Sequence, residues 1–331
     1  MDRLESIRAG EEQRAAGADE GILLDQLDEV ESRLLAFAEA LGADVDDVRD
    51  LPFTEEAGKD NMPQQLYVRH DPEMLNQMTT WLLQDQHIGL ISQYGTGKSA
   101  FREVALRDLR KHDGFVAAFL ANPDQTTPRQ IFRTILEAAT REGYEIDRSQ
   151  YSQIRDGIPW ATDEVRRAAG EVVEAIRADG RTILLLVDEI EVLGEELLSP
   201  LQSAGDAGVR LFLMGTPEGK QRIQAMRATL DSRLRYYEGI KPFEPKHIAE
   251  YIGRSLAYMR DEPYEGGRPE LFSPATIRDI HDRTGGVQRE VRIECRELFT
   301  RAAFVWYRTG QPIERITITP NLRERRFGMG R

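Results

Sequence analysis

Two rhythms of apolar and polar residues run along this chain. Unbroken apolar runs at His87–Ile91, Thr182–Asp188 and Val209–Gly215 have the length of strands buried on both faces. Two shorter runs, Gly114–Leu120 and Tyr236–Ile240, read the same way. The segments Gly97–Lys111, Thr127–Arg141, Asp163–Ala178, Glu195–Ala204 and Pro217–Thr229 fit helices. Strands alternating with helices at these spacings predict a doubly wound α/β sheet. A different pattern opens the chain. Ile22, Leu23, Leu27, Val30, Leu34, Leu35, Phe37, Ala38 and Leu41 recur at three- and four-residue steps, an amphipathic helix of about five turns. One stripe of it is too apolar to face water, so the reading favours packing on the α/β core over pairing with a partner's helix.

The junction after the first strand carries the most chemistry. Ser92-Gln93-Tyr94-Gly95-Thr96-Gly97-Lys98-Ser99 lies between an apolar strand and an amphipathic helix, the setting of a phosphate-binding loop. Gly95 and Gly97 let backbone N–H groups turn inward around phosphate oxygens, Thr96 lies between them, and the helix N-terminus adds unpaired donors. Lys98 supplies a mobile cation for the β and γ phosphates, and the Ser99 hydroxyl a ligand for Mg²⁺. The pattern G-x-x-x-x-G-K-[ST] is met except at its first glycine, where Ser92 stands.

A second constellation lies about 90 residues further on. The run from Thr182 ends in Asp188-Glu189, and parallel sheets bind ligands at the carboxyl ends of their strands. Asp188 would hold Mg²⁺ directly or through water, and Glu189 would polarise the attacking water. Thr216 ends the next strand, where its hydroxyl either senses the γ-phosphate or caps the helix begun by Pro217. Arg233 and Arg235 lie around the end of a helix before a short strand, placed to reach a neighbouring subunit's nucleotide or simply to be solvated. Arg289 opens the helix after Thr284-Gly285-Gly286 and is placed to reach back to a γ-phosphate. No [NT]-K-x-D tetrad occurs, so adenine is favoured over guanine and the expected cofactors are ATP and Mg²⁺.

Phosphate loop, strand-D-E, strand-ending threonine, arginine-tipped helix and a helix opened by G-G-V-Q-R, in that order, resemble the AAA+ ATPases. The nearest branch is the archaeal origin-recognition and Cdc-type initiators, with secretion and transposition helper ATPases close by. The resemblance covers roughly Leu66 to Arg308. It implies a five-stranded parallel sheet with helices on both faces, followed by an all-helical lid of Lys246–Arg260, Pro274–Arg283 and Val287–Tyr307. It also implies an adenine contact at Tyr67 or Val68, hydrolysis of ATP to ADP and phosphate, oligomers, and a DNA or DNA-bound protein partner. The expected organisation is an acidic helical arm over 1–62, the ATPase core over 63–243, the lid over 244–310 and a basic tail over 311–331. The initiators end in a winged-helix module, and Gln311 to Arg331 is too short for one.

Composition narrows the setting. Of the net charge of −13, the arm to Met62 carries 18 acidic against six basic residues, so the remainder is close to neutral. The tail bears Arg315, Arg323, Arg325, Arg326 and Arg331 against Glu314 and Glu324, able to clamp phosphates or dock on an acidic surface. Lysine occurs only six times, against 38 arginines, and its retention at Lys98 suits a compact phosphate-binding cation. The single cysteine, Cys295, reads as a core residue in a reducing, cytoplasmic setting. No Cys/His cluster indicates zinc, and no run approaches the roughly 20 apolar residues of a membrane span. Three readings remain: an ATP-hydrolysing machine component; a binding switch or helper ATPase with negligible turnover; and, less well fitted, a small-molecule kinase.

Overall fold

The computed structural model describes residues 22–54, 62–145 and 162–324. The chain divides into two compact units, one of residues 71–241 and one of residues 1–70 with 242–331.

The first unit is an α/β layer structure. Helix α2 (Pro72–Leu83) leads into strand β1 (His87–Ile91), and α3 (Lys98–Arg110) into β2 (Phe115–Leu120). Helices α4 (Pro128–Arg141) and α5 (Thr162–Ala178) precede β3 (Thr182–Val187), and α6 (Glu195–Asp206) precedes β4 (Arg210–Gly215). Helix α7 (Pro217–Met226) and the single turn α8 (Ala228–Asp231) lead to β5 (Leu234–Glu238). The strands form one sheet in the order β2-β3-β4-β1-β5, every neighbouring pair parallel. Helices cover both faces, which is why β3 is apolar at almost every position: Ile183 through Val187 are fully buried. On one face Ile183, Leu185 and Val187 share a core with Ile131 and Ile135 of α4, Val173 of α5 and Leu201 of α6. On the other, Phe101 of α3 meets Phe212 of β4, ring centroids 6.2 Å apart, and α2 contacts β1 and β5.

Several elements differ from the sequence reading, three of them with a clear local cause. Strand β5 starts two residues earlier than expected, at Leu234, because its pairing with β1 begins at His87↔Leu234 and Gly239 already lies in the left-handed region. The helix expected over Pro217–Thr229 breaks at Arg227, which adopts φ −148° and caps one helix while opening the next. Helix α2 had no counterpart among the expected helices. Asp71 fixes its start, accepting from Met74 N at 3.1 Å, and also takes the Tyr237 hydroxyl and Lys241 N, each at 3.0 Å.

The second unit is helical. Helix α1 (Ile22–Ala40) matches the amphipathic stretch expected in the arm, and α9 (Pro245–Met259), α10 (Pro274–Thr284) and α11 (Gln288–Thr309) form the rest. The sequence reading gives the α/β core as the partner of α1's stripe, and the structure supplies α11 instead. Phe37, fully buried, sits edge-on to Phe299 at 5.2 Å and beside Trp306 at 5.6 Å. Cys295 is fully buried in the same core. The segment after α11 is bound into the unit as well. Ile318 N donates to Leu271 O at 2.7 Å, and Arg323 pairs with Asp279 and Glu294. Of the tail's basic residues, Arg323 is thus engaged by carboxylates, and Arg325, Arg326 and Arg331 lie outside the described residues. No helix among the described residues is long and apolar enough to cross a membrane.

Candidate functional site

Parallel register brings three loop residues to one edge of the sheet. Ile91 pairs with Gly215 and Leu213 with Val187, so Ser92, Thr216 and Asp188 are the first residues beyond the ends of adjacent strands. The loop from Ser92 to Gly97 is anchored there. Ser92 N donates to Gly215 O at 3.0 Å, and Ser92 Oγ accepts from Ile240 N at 3.2 Å. This second bond explains the missing glycine: Ser92 holds no positive φ, and its hydroxyl ties the loop to the chain leaving β5. The glycines that remain do need their freedom, Gly95 at φ 79° and Gly97 at φ 85°. Gly97 is the N-cap of α3 and offers no side chain to the first-turn N–H groups, leaving them for an anion. The Thr96 hydroxyl braces the turn by donating to Gln93 O at 2.8 Å.

Lys98 is only 8 % exposed. Its Nζ donates to Ser92 O at 2.6 Å and Gln93 O at 2.8 Å, so the loop closes around its own ammonium. Burial lowers its pKa, opposed by the charges of Glu191, Asp188 and Glu189. The Ser99 hydroxyl donates to Asp188 Oδ2 at 3.2 Å, joining residues 89 positions apart. Asp188 Oδ1 accepts from Glu189 N at 2.9 Å, which orients the carboxylate. Glu189 itself lies at φ 55°, ψ 48°, an unusual conformation for a side-chain-bearing residue and one that clusters at functional sites. Burial, then the negative charges of Asp188 and Glu191, raise the Glu189 pKa and make it a stronger base. Thr216, 1 % exposed, is the N-cap residue of α7 by position, but its hydroxyl makes no capping bond to the backbone.

Two residues with no expected role stand among these. Glu191 Oε2 accepts from Thr216 N at 3.0 Å, and its carboxylate takes a hydrogen bond from the Tyr94 hydroxyl. Tyr94 in turn places its ring 5.6 Å from Lys98 Nζ. The turn carrying Glu191 packs where larger residues could not stand. A Cβ on Gly219 would lie 2.9 Å from Glu191 N, and one on Gly215 would lie 2.4 Å from Ile190 Cγ1. The second residue is Arg102, whose Nη1 lies 3.3 Å from Asp188 Oδ2. Its signal in the sequence is spacing: a basic residue three positions after Ser99 shares that residue's face of the helix.

Of the other expected residues, Arg233 and Arg235 are not gathered at this edge. Arg233 immediately precedes β5 at the opposite, amino-terminal edge, about 17 Å of strand away, and pairs there with Asp206. Arg235 lies exposed on β5. Tyr67 and Val68 follow a short 3-10 turn (Gln64–Leu66), Tyr67 half-buried and Val68 buried, and Arg289 is exposed in the first turn of α11. All three belong to the helical unit.

The residues at the loop fit a magnesium nucleotide. Bare first-turn donors and a buried ammonium suit phosphate oxygens, and one hydroxyl beside one carboxylate is the small oxygen-donor set from which Mg²⁺ is held together with water and phosphate. Among the described residues no group of three or more His, Cys, Asp or Glu is arranged to hold a metal ion without such help.

Residues 82–223, which span this site, match the family model described as "AAA domain". That stretch, less than half of the chain, is what the sequence shares with the AAA domain family. The chain's fold is similar to that of a solved ORC2 protein. It superposes on the ORC2 protein of Aeropyrum pernix, from a structure of its ADPNP-ADP complexes, with TM-score 0.52 and 16 % identity over 83 % of this chain and 69 % of that one. Cdc6p from Pyrobaculum aerophilum aligns with TM-score 0.46 and 17 % identity over 87 % and 73 %. A Walker-type ATPase of Pyrococcus abyssi aligns with TM-score 0.44 and 13 % identity over 75 % and 73 %. No curated protein matches the sequence.

Proposed function

We propose that this protein binds ATP with Mg²⁺ at the loop Ser92–Ser99 and hydrolyses it, working as an oligomer on a DNA-associated partner. One observation carries the reading. Ser99 and Asp188, on different elements, meet at 3.2 Å beside the buried Lys98, an arrangement with the donors a magnesium triphosphate requires. Bound Mg²⁺ would neutralise phosphate charge and screen the developing negative charge of the transferred group.

The chain's own groups then divide the work. The N–H groups of Gly95, Thr96 and Gly97 and the ammonium of Lys98 hold the phosphates, Lys98 exchanging the carbonyls of Ser92 and Gln93 for phosphate oxygens. Ser99 and Asp188 hold the ion. Glu189, its basicity raised, accepts a proton from the attacking water, and Thr216 reports on the terminal phosphate. Arg233, on the far edge of its own sheet, is suited only to a neighbour's site, where a guanidinium stabilises transferring phosphoryl charge. Tyr67 is assigned to adenine and Arg289 to the γ-phosphate of a closed state. The oligomer and the DNA-associated partner rest on the resemblance to initiator ATPases.

Steady-state phosphate release tests this. Mg²⁺-dependent turnover is expected in the wild type, with a loss of about 10²- to 10⁴-fold in Glu189→Gln while ATP binding survives. Wild-type turnover in Glu189→Gln removes the assignment of the base. Mixing Lys98→Ala with Arg233→Ala subunits is expected to restore part of the activity, and no rescue at any ratio removes Arg233 from a neighbour's site.

A further inference from the structure

Arg102 is a buried cation at the ion-binding carboxylate, and the nucleotide chemistry described above does not use it. Its side chain is 8 % exposed, and its neighbours fix it from three sides. Glu103, equally buried, accepts from Nη2 at 2.6 Å and from Nε at 3.1 Å, both donors converging on its Oε1. The ring of Phe119, from β2, lies 4.6 Å from the guanidinium carbon, which fixes the plane of the group. The remaining nitrogen, Nη1, points at Asp188 Oδ2 from 3.3 Å, the oxygen that also receives the Ser99 hydroxyl.

The two ends of this contact are unequal. At 2.6 Å the bond to Glu103 has the length of a strong charge-assisted bond, and at 3.3 Å the link to Asp188 is long for one. The guanidinium is therefore anchored on Glu103 and leans on Asp188, and the contact that yields when another cation arrives is the one to Asp188. A buried Asp188 carboxylate needs counter-charge, and Arg102 supplies it by direct contact alongside the charge of Lys98. The Arg102 charge stays close by when a divalent ion comes in.

We propose that Arg102 is a positioning residue for the divalent-ion site: anchored by Glu103 and Phe119, it keeps Asp188 Oδ2 turned toward Ser99 in the ion-free protein and limits how tightly a divalent cation is then held. The proposal rests on the reading of the loop as a magnesium-nucleotide site. Its consequence is an ion site that is ordered before it is filled and releases its ion readily.

The test is a titration of full-length protein with Mn²⁺ in the presence of a non-hydrolysable ATP analogue, free Mn²⁺ being read by its EPR signal. Removing the charge in Arg102→Met should tighten Mn²⁺ binding by about tenfold, since a unit charge a few Å from a divalent ion is worth at least that at protein-like dielectric. Arg102→Lys, which keeps the charge, should stay within about threefold of the wild type. Without metal, Arg102→Met should also melt below the wild type, and Mn²⁺ with the analogue should narrow the gap. If Arg102→Met does not fold, Arg102→Gln, which keeps a donor for Glu103, takes its place with the same expected gain. Unchanged or weaker Mn²⁺ binding in the charge-removing variant overturns the proposal and leaves Arg102 a structural partner of Glu103. Failure of the wild type to bind Mn²⁺ with the analogue overturns the nucleotide site itself, so the two failures are told apart by the wild-type curve.

Discussion

Ser99 and Asp188 share a hydrogen bond of 3.2 Å although 89 positions separate them in the chain. The parallel sheet makes the bond possible: with β4 alone between β3 and β1, the end of β3 and the start of α3 meet at one edge.

The loop's departure from the usual glycine has a measurable consequence. Ser92 Oγ accepts the backbone N–H of Ile240. Ser92→Gly completes the phosphate-loop pattern yet strands that buried donor, so it should cost about 1–2 kcal/mol of stability, as should Ser92→Ala. Urea unfolding of both variants checks this, and an unchanged midpoint in Ser92→Gly would show that the bond contributes nothing.

Helix α1 belongs to the helical unit through Phe37. Phe37→Ala removes a fully buried ring from between Phe299 and Trp306 and should destabilise that unit by about 3–5 kcal/mol. Leu27→Ala, on a residue 55 % exposed in the same helix, should change stability by less than about 0.5 kcal/mol. Thermal melts of the two variants should differ accordingly, and similar melts would place the docking of α1 elsewhere.

A pH effect comes from the opposite edge of the sheet. His87 Nδ1 accepts from Leu211 N at 3.1 Å, which requires a neutral ring. Burial, then the charges of Arg210 and Arg233, push its pKa from 6.5 down to about 4. The folded protein therefore takes up this proton less readily than the unfolded chain. The stabilisation is complete above pH 6.5, declines as pH falls toward 4, and is absent below. Carboxylates titrate in the same window, so the informative curve is the difference between wild type and His87→Asn. That difference should shrink steadily from pH 6.5 to 4, and a difference independent of pH would contradict the assignment.

The sequence reveals the centre of this molecule more fully than its edges. Strand β3 is legible because burial on both faces leaves it no polar position after Thr182 to confuse the pattern. Strand β5 pairs on one side only and mixes exposed Arg235 and Glu238 with buried Leu234 and Tyr237 in no regular alternation, so its limits blur by two residues. Lys98, Ser99, Asp188 and Glu189 stand out because a phosphate loop and a strand-ending acid pair need those residue types at those places. Glu191 does not stand out. It reaches the site only because the left-handed turn at Glu189 folds the chain back toward Thr216, and no spacing rule encodes that turn. Periodicity likewise announces that α1 must bury a stripe but cannot say that α11 will cover it.

Isothermal titration of the full-length protein with Mg·ATP tests the central claim most directly. The account predicts saturable heat in the wild type and its loss in Lys98→Ala, with both proteins folded by circular dichroism. No heat in the wild type, or equal heat in Lys98→Ala, would contradict it.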